Sequence, residues 1–234
     1  MSVQDVEKTN VDSRVDWSKV TDFKVASDHY HHYKEDVKLM CQLGLKAYRF
    51  SIAWTRILPN GVGEINPKGI KFYHDLIDEL LKHKIEPIIT MFHFDLPLNL
   101  ENQGGWNNRE LTVDAFVNFA NILFKEYGNK VKYWLTINEQ NVVAMVGEVL
   151  GMKKDNGVNK WKSIANQNHN MLLAQSKAFA LSHKLFPNNK IGPAPNVSIC
   201  YPYSNHPLDV LASKNAQAPK HTQPVSYTHL TLPT

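Results

Sequence analysis

The sequence predicts an α/β protein built on a parallel β-sheet. Four segments with apolar residues at helical spacing alternate with four short apolar runs that begin at residues 47, 87, 133 and 190. The intervals of 40, 46 and 57 residues between these runs each leave room for one crossover helix, which parallel strands require. Both a doubly wound sheet and a (β/α)8 barrel fit this order of elements.

The composition is that of an ordinary globular chain. Of its 234 residues, 43% are hydrophobic and 21% are charged, which suits one sizeable core. The net charge of +4 comes from 26 Lys and Arg that are interspersed with 22 Asp and Glu, so we expect a solvated mixed surface and no nucleic-acid partner. No uninterrupted apolar stretch approaches the length of a membrane span.

Neither the cysteines nor the histidines indicate a redox or metal site. Cys41 and Cys200 lie far apart and no secretory leader pattern is seen, so we expect a cytoplasmic chain with buried, reduced thiols. His29, His31 and His32 invite a zinc site, but no cysteine or third-ligand spacing accompanies them, and we expect no metal. The Gly-rich signatures of dinucleotide and phosphate binding are absent from the sequence, and we expect no cofactor.

The helices are predicted from their apolar stripes and their caps. Asp28 is expected to cap the first helix, and Asn66 with Pro67 to open the second. The third is expected to stop at Gly128, and the fourth to run over about 161–186. The predicted stripes, in helix order, are Tyr33, Val37, Met40 and Cys41; Ile70, Tyr73, Leu76, Ile77, Leu80 and Leu81; Val113, Phe116, Val117, Ala120, Leu123 and Phe124; and Ile164, Ala165, Leu172 and Phe179.

The four apolar runs are predicted strands over residues 47–54, 87–94, 133–138 and 190–200. In the first run the bulky side chains of Tyr48 and Phe50 alternate with Arg49. We expect the bulky side to face a helix layer and Arg49 to point into the interior. A buried guanidinium there would need an anionic partner.

Polar side chains stand at the ends of three consecutive predicted strands. The first run carries Arg49, the second ends near His93, and the third ends in Asn138 and Glu139. In an α/β barrel the chemistry takes place where the strands end at their carboxyl side. One polar residue at a strand end is common in any fold, but three at one rim indicate a polar ligand.

Six segments of the sequence form an ordered set of motifs. They are D-H-Y-H-H-Y-K-E-D-V from Asp28, K-A-Y-R-F-S-I-A-W-T-R-I-L-P from Lys46, N-P-K-G-I-K-F-Y from Asn66, H-F-D-L-P from His93, G-G-W from Gly104 and Y-W-L-T-I-N-E from Tyr133. This set resembles glycoside hydrolase family 1, which contains β-glucosidases and 6-phospho-β-glucosidases. The likeness covers roughly residues 2–216.

The resemblance implies a (β/α)8 barrel that hydrolyses β-glycosides with retention of configuration. By position, Glu139 corresponds to the general acid/base, Asn138 to the residue that bonds the sugar 2-hydroxyl, and His93 to a sugar-hydroxyl ligand. Arg49 corresponds to the cation beside the nucleophilic carboxylate, which is the anionic partner expected above. Trp106 lies in a loop near the family's active-site rim, and no role is assigned to it.

Two departures from the common family pattern favour the 6-phospho branch. The sequence has Asn138-Glu139-Gln140 where most members have Asn-Glu-Pro, and His93-Phe94-Asp95 where most have His-Trp-Asp. The residues that select a phosphorylated sugar lie in the C-terminal part of the family barrel. The resemblance therefore leaves open whether the sugar is β-D-glucose or its 6-phosphate.

We expect the chain to hold only strands two to five of the eight. The family's first strand should precede residue 2, and its nucleophile follows the seventh strand. Among the ten Glu, only Glu139 has a catalytic family context. We assign residues 1–216 to the N-terminal part of the barrel. Residues 217–234 form a tail outside the family, whose end, 225–234, we interpret as translated sequencing-adapter DNA; a natural divergent tail is the alternative.

A retaining glycosidase needs two carboxyl groups about 5–5.5 Å apart, one as nucleophile and one as acid/base. With one half of this pair, the chain is expected to be an inactive part of a β-D-glucosidase or 6-phospho-β-D-glucosidase. A non-catalytic sugar-binding half-barrel, using His93, Asn138 and Trp106, is the alternative. A misassembled reading frame without stable function is a third. The oligomeric state is not indicated by the sequence.

Overall fold

The computed structural model describes residues 26–146, 159–197 and 199–216. The expectation for the tail at 225–234 lies outside these residues.

Four parallel strands form a single sheet in the described part of the chain. They are β1 (Ala47–Ser51), β2 (Glu86–Phe92), β3 (Tyr133–Asn138) and β4 (Lys190–Ala194), and their order across the sheet is their order along the chain. The predicted parallel neighbours are therefore confirmed. Strand β1 is shorter than predicted because the chain turns into a short helix at Trp54, and β4 ends at Ala194 rather than at residue 200.

Helices connect the strands, as the spacing predicts. They are α1 (His29–Gln42), α2 (Trp54–Ile57), α3 (Pro67–Lys82), α4 (Leu98–Asn102), α5 (Arg109–Tyr127), α6 (Gln140–Val146) and α7 (Lys160–Leu185), and residues 207–216 are also helical. The predicted cap of α3 is confirmed, since Asn66 Oδ1 accepts a hydrogen bond from Lys68 N over 3.1 Å. Helix α5 ends before Gly128, also as predicted.

The core lies between the sheet and the helices. The Trp54 ring stacks on Phe119 of α5 with their centroids 5.0 Å apart, and Trp54, Phe119 and Leu76 of α3 are fully buried. Tyr48 and Phe50 pack on this core, while Arg49 projects from the opposite side of β1. The predicted sides of β1 are thus confirmed, although Arg49 is exposed rather than enclosed because the described strands do not close around it.

The sequence prediction for α1 is wrong in two respects. Asp28 stands before the helix with φ of 52° and makes no side-chain cap. Its carboxylate lies 2.6 Å from His31 Nδ1 instead, since this backbone turns it away from the helix amides. The predicted stripe is also wrong, because Val37 is the only fully buried residue of α1 and Cys41 is exposed. Cys200, elsewhere in the chain, is half-buried, so neither thiol is buried as expected.

Helix α7 buries a polar face where an apolar stripe was predicted. Ala165 is exposed, and Ile164, Leu172 and Phe179 are only half-buried. The buried residues of α7 are Ser163, Gln167, Asn170, Met171, Ala174, Gln175, Ala178 and Ser182. The prediction was wrong because most of these polar side chains find hydrogen-bond partners inside the protein, which removes the cost of their burial.

Candidate active site

The predicted site residues meet at the edge of the sheet where the parallel strands end. His93 follows β2 directly, Glu139 follows β3 directly and Asn138 is the last residue of β3. Arg49 is the middle residue of the five-residue strand β1, and its side chain reaches Asn138. Parallel strands bring their carboxyl ends to one edge, so this grouping follows from the topology.

Arg49 fixes the orientation of Asn138. Its Nε donates to Thr90 Oγ1 over 2.9 Å, and one terminal guanidinium nitrogen donates to Asn138 Oδ1 over 2.5 Å. A guanidinium has only donors, so the amide oxygen of Asn138 must face it and the amide nitrogen must face away. Asn138 is 4% exposed, and burial adds to this restraint.

Asn138 in turn determines the protonation of His93. The amide nitrogen of Asn138 lies 3.1 Å from His93 Nε2, and since this nitrogen can only donate, Nε2 must accept and carry no proton. Partial burial of the imidazole lowers the pKa of His93, and the positive charge of Arg49 lowers it further, while Glu139 acts in the opposite direction. We infer a neutral imidazole whose Nδ1–H is left to donate to a ligand.

A tight turn orients His93 at the end of β2. Phe94 has φ of 68°, a left-handed conformation that is uncommon for an aromatic residue. Asp95 holds the turn from both sides, because its carboxylate accepts from His93 N over 3.2 Å and from Trp54 N over 3.0 Å. The carboxylate thereby joins the end of β2 to the start of α2.

Glu139 lies at a second strained turn, between β3 and α6. Its φ is 43°, and its backbone N–H donates to Ala194 O of β4 over 2.7 Å. Its carbonyl accepts from Val142 N and Val143 N and so starts α6. Strain of this kind costs about 1–3 kcal/mol and persists only where the surrounding structure holds it.

The residue after Glu139 anchors this turn to helix α7. The Gln140 amide nitrogen donates to Asn168 Oδ1 over 2.6 Å, and the Gln140 amide oxygen accepts from Gln175 Nε2. Gln175 also accepts from Thr136 Oγ1 of β3 over 2.7 Å. Gln140, which begins this buried chain of amides, stands where most members of the family that the sequence resembles have proline.

Trp106 is not available to a sugar. The side chain is 1% exposed and packs between Phe92 and Phe116, with ring centroids 5.6 and 6.0 Å away. A Trp that binds a sugar must present a ring face, so the sugar-binding half-barrel considered above loses one of its three residues.

No site for a metal ion is found in the described ranges, where no three His, Cys, Asp or Glu side chains group around a common point. His29 and His31 each pair with a carboxylate, that of Asp36 at 2.5 Å and that of Asp28 at 2.6 Å. These pairs account for the histidine cluster as a structural feature of α1.

The structure brings together the site residues that the sequence predicts and adds one more. Arg49, Asn138 and His93 form one hydrogen-bonded network, and Glu139 lies beside it. Asn196 was missed, although its amide nitrogen donates to Glu139 Oε1 over 3.1 Å. The rule that polar residues follow strand ends would have found it, had the strand been predicted to stop at Ala194.

The chain also matches a known protein family. The profile of Glycosyl hydrolase family 1 matches residues 1–225, and the chain belongs to this family. The four parallel strands with their helices are thus part of the family's (β/α)8 barrel, as the resemblance implied.

Two curated relatives represent the two substrate classes. The chain is 46% identical over 200 residues to "Aryl-phospho-beta-D-glucosidase BglC" of Bacillus subtilis, covering 85% of this chain and 42% of the relative. It is 42% identical over 190 residues to "Beta-glucosidase A" of Acetivibrio thermocellus, covering 81% and 42%. The chain therefore spans less than half the length of these relatives.

A solved structure shows the same fold. It is a Thermotoga maritima family 1 glycoside hydrolase in complex with a cyclophellitol analogue described as a transition-state mimic. The TM-score is 0.80 at 36% identity, and the match covers 94% of this chain and 48% of that one. Within the described residues, no helix has the length and apolar character needed to cross a membrane.

Proposed function

We propose that the chain is the N-terminal part of a retaining β-glycosidase that hydrolyses β-D-glucosides or 6-phospho-β-D-glucosides in the cytoplasm. Glu139 is the acid/base, Asn138 and His93 bind the sugar, and Arg49 supports the nucleophilic carboxylate. The observation that carries the proposal is the network from Arg49 through Asn138 to His93, beside Glu139 at the strand ends.

The network is suited to binding a neutral, hydroxyl-rich ring. The Nδ1–H of the His93 imidazole has no hydrogen-bond partner among the described residues, and the amide of Asn138 is held in a single orientation by its two neighbours. A hydrogen bond from Asn138 to the 2-hydroxyl would strengthen as positive charge develops on the sugar in the transition state. A fixed donor is effective here because it need not reorient during the reaction.

The Glu139 carboxylate accepts a hydrogen bond from Asn196 through Oε1, and we assign its other oxygen, Oε2, to the leaving group. As general acid it would protonate the departing oxygen, and as general base it would deprotonate the attacking water. We expect the nucleophile to come from the remainder of the full-length protein. By full-length protein we mean the product of the reading frame extended into the flanking genomic DNA.

The proposal is tested by assaying two proteins with phenyl β-D-glucoside and its 6-phosphate. We expect no turnover by the 234-residue chain and turnover of one of the two substrates by the full-length protein. Proton NMR of the first product should show the β-anomer, since retention requires it. Sugar binding without turnover by the full-length protein would instead support the non-catalytic alternative.

A further inference from the structure

Asn196 lies just beyond the end of β4 and reaches across to the strand end of β3. Its amide nitrogen is 3.1 Å from Glu139 Oε1. Because a carboxylate oxygen accepts hydrogen bonds, the amide nitrogen must be the donor in this pair. Asn196 is half-buried, so water competes less for this bond than it would at an exposed position.

The backbone of Asn196 is itself fixed by a side chain from α6. The Asn141 amide nitrogen donates to Asn196 O over 2.8 Å, and Asn196 N donates to Asn141 Oδ1 over 3.0 Å. Asn141 is 2% exposed. Together with the bond from Glu139 N to Ala194 O, these contacts tie the strained turn at Glu139 to the segment that follows β4.

We propose that Asn196 is a positioning residue for the acid/base Glu139, and that Asn141 acts through it. The carbonyl oxygen of a neutral carboxyl group is its better acceptor, so the bond from Asn196 assigns Oε1 as that oxygen and places the proton on Oε2. It also restrains the rotation of the carboxyl group, which leaves Oε2 as the oxygen that faces the substrate. This inference rests on the proposed function.

The proton balance of the step follows from this assignment. Oε2 of Glu139 gives its proton to the glycosidic oxygen, which keeps the electron pair of the breaking bond to the anomeric carbon. The nucleophilic carboxylate of the full-length protein forms the new bond to that carbon. In the second step, Oε2 takes a proton from water, whose oxygen bonds to the anomeric carbon. The bond from that carbon to the nucleophile breaks, and its electron pair returns to the nucleophilic carboxylate.

Loss of the positioning bond should therefore matter most when the leaving group needs protonation. In the full-length protein we expect Asn196→Ala to lower kcat/KM about tenfold for a phenyl leaving group and less than about threefold for a dinitrophenyl leaving group, which departs with little help. Asn196→Asp keeps the size of the side chain but cannot donate to a carboxylate, and should show the same dependence on the leaving group.

Two further variants separate positioning from folding. Asn141→Ala should reproduce the leaving-group dependence, and the double variant with Asn196→Ala should be little worse than either single variant. The matched control is Asn189→Ala at the other end of β4, where the amide nitrogen donates to Gly128 O over 3.0 Å. This control removes a comparable bond and should change kcat/KM by the same factor for both substrates.

The outcomes are distinguishable. Equal losses on both substrates for Asn196→Ala, or an Asn196→Asp variant that behaves as the unaltered protein, would overturn the inference. If Glu139→Gln shows the leaving-group dependence and the Asn196 variants do not, the proposed function stands and the inference fails. If the full-length protein turns over no aryl glycoside, both fail.

Discussion

The guanidinium of Arg49 donates to Asn138 Oδ1 over 2.5 Å, from one edge strand of the described sheet to its third strand. This contact decides which end of the Asn138 amide faces His93, and so it decides which imidazole nitrogen carries the proton. One arginine thus sets the hydrogen-bonding character of two neighbouring side chains. A lysine could not replace it, because Arg49 also bonds Thr90 with a second nitrogen of the same planar group.

The network predicts a pH dependence of stability. Since the pKa of His93 is lowered in the folded protein, the unfolded chain takes up the proton first as the pH falls. The contribution of His93 is fully present above its unfolded pKa of about 6.5 and is lost as the pH falls from there through the lower folded pKa. Below this pH, the free energy of unfolding in urea should therefore fall less in full-length His93→Gln than in the unaltered full-length protein. An equal loss of stability in the variant and in the unaltered protein would contradict the inference that the imidazole is neutral.

Gln140 is expected to stabilise the turn at Glu139. Gln140→Ala leaves the buried Gln175 without one partner and removes the bond to Asn168, which should lower the free energy of unfolding by about 1–3 kcal/mol. The matched control is Gln103→Ala. Among the described residues the Gln103 amide bonds Asn99 alone, which is exposed, so this variant should change stability by less than about 0.5 kcal/mol. Similar effects in the two variants would show that the buried amide chain contributes nothing.

Gly69 is expected to tolerate no side chain, although it lies within α3. A Cβ at this position would lie 1.9 Å from Arg56 O, which is backbone and cannot rotate away. The gain in helix propensity from Gly to Ala is about 1 kcal/mol, and overpacking costs about 1–3 kcal/mol or more, so the net effect should be destabilising. Gly192→Ala is the control, since nothing lies within 4 Å of a Cβ there. Thermal unfolding that ranks Gly69→Ala as the more stable variant would refute this packing.

The 234-residue chain alone is expected to self-associate. Strands β1 and β4 each have one neighbour in the described sheet, and an open edge is a template for pairing with another chain. Large apolar side chains are also exposed in the described residues, among them Leu43, Ile199 and Tyr203. Gel filtration should show mixed oligomers, whereas a sharp monomer peak with a cooperative melt would contradict this expectation.

The elements with strong apolar stripes could be predicted from the sequence. Helices α3 and α5 combine a largely buried apolar stripe with a capping Asn, so local and tertiary preferences agree in them, although Leu81 of the predicted α3 stripe is exposed. Motif resemblance then supplied the site residues Arg49, His93, Asn138 and Glu139, and the parallel topology explains why their strand ends meet.

The polar interior could not be predicted in the same way. The buried face of α7 depends on partners such as Thr136 and Gln140, and hydrophobic periodicity carries no information on such pairs. Asn196 was missed for a different reason. The predicted strand ran past it, while the actual strand stops at Ala194, which stands between two prolines that have no N–H to donate to the ladder.

The proposed function depends on Glu139 as the acid/base of a β-glycosidase. This role is tested by measuring kcat/KM of full-length Glu139→Gln with phenyl and dinitrophenyl β-glucosides or their 6-phosphates, beside the exposed control Glu126→Gln. We predict a loss of about 100-fold or more for the phenyl substrate, a much smaller loss for the dinitrophenyl substrate, and no change in the control. Phenyl-glucoside hydrolysis by Glu139→Gln at the rate of the unaltered protein would contradict the assignment of this site.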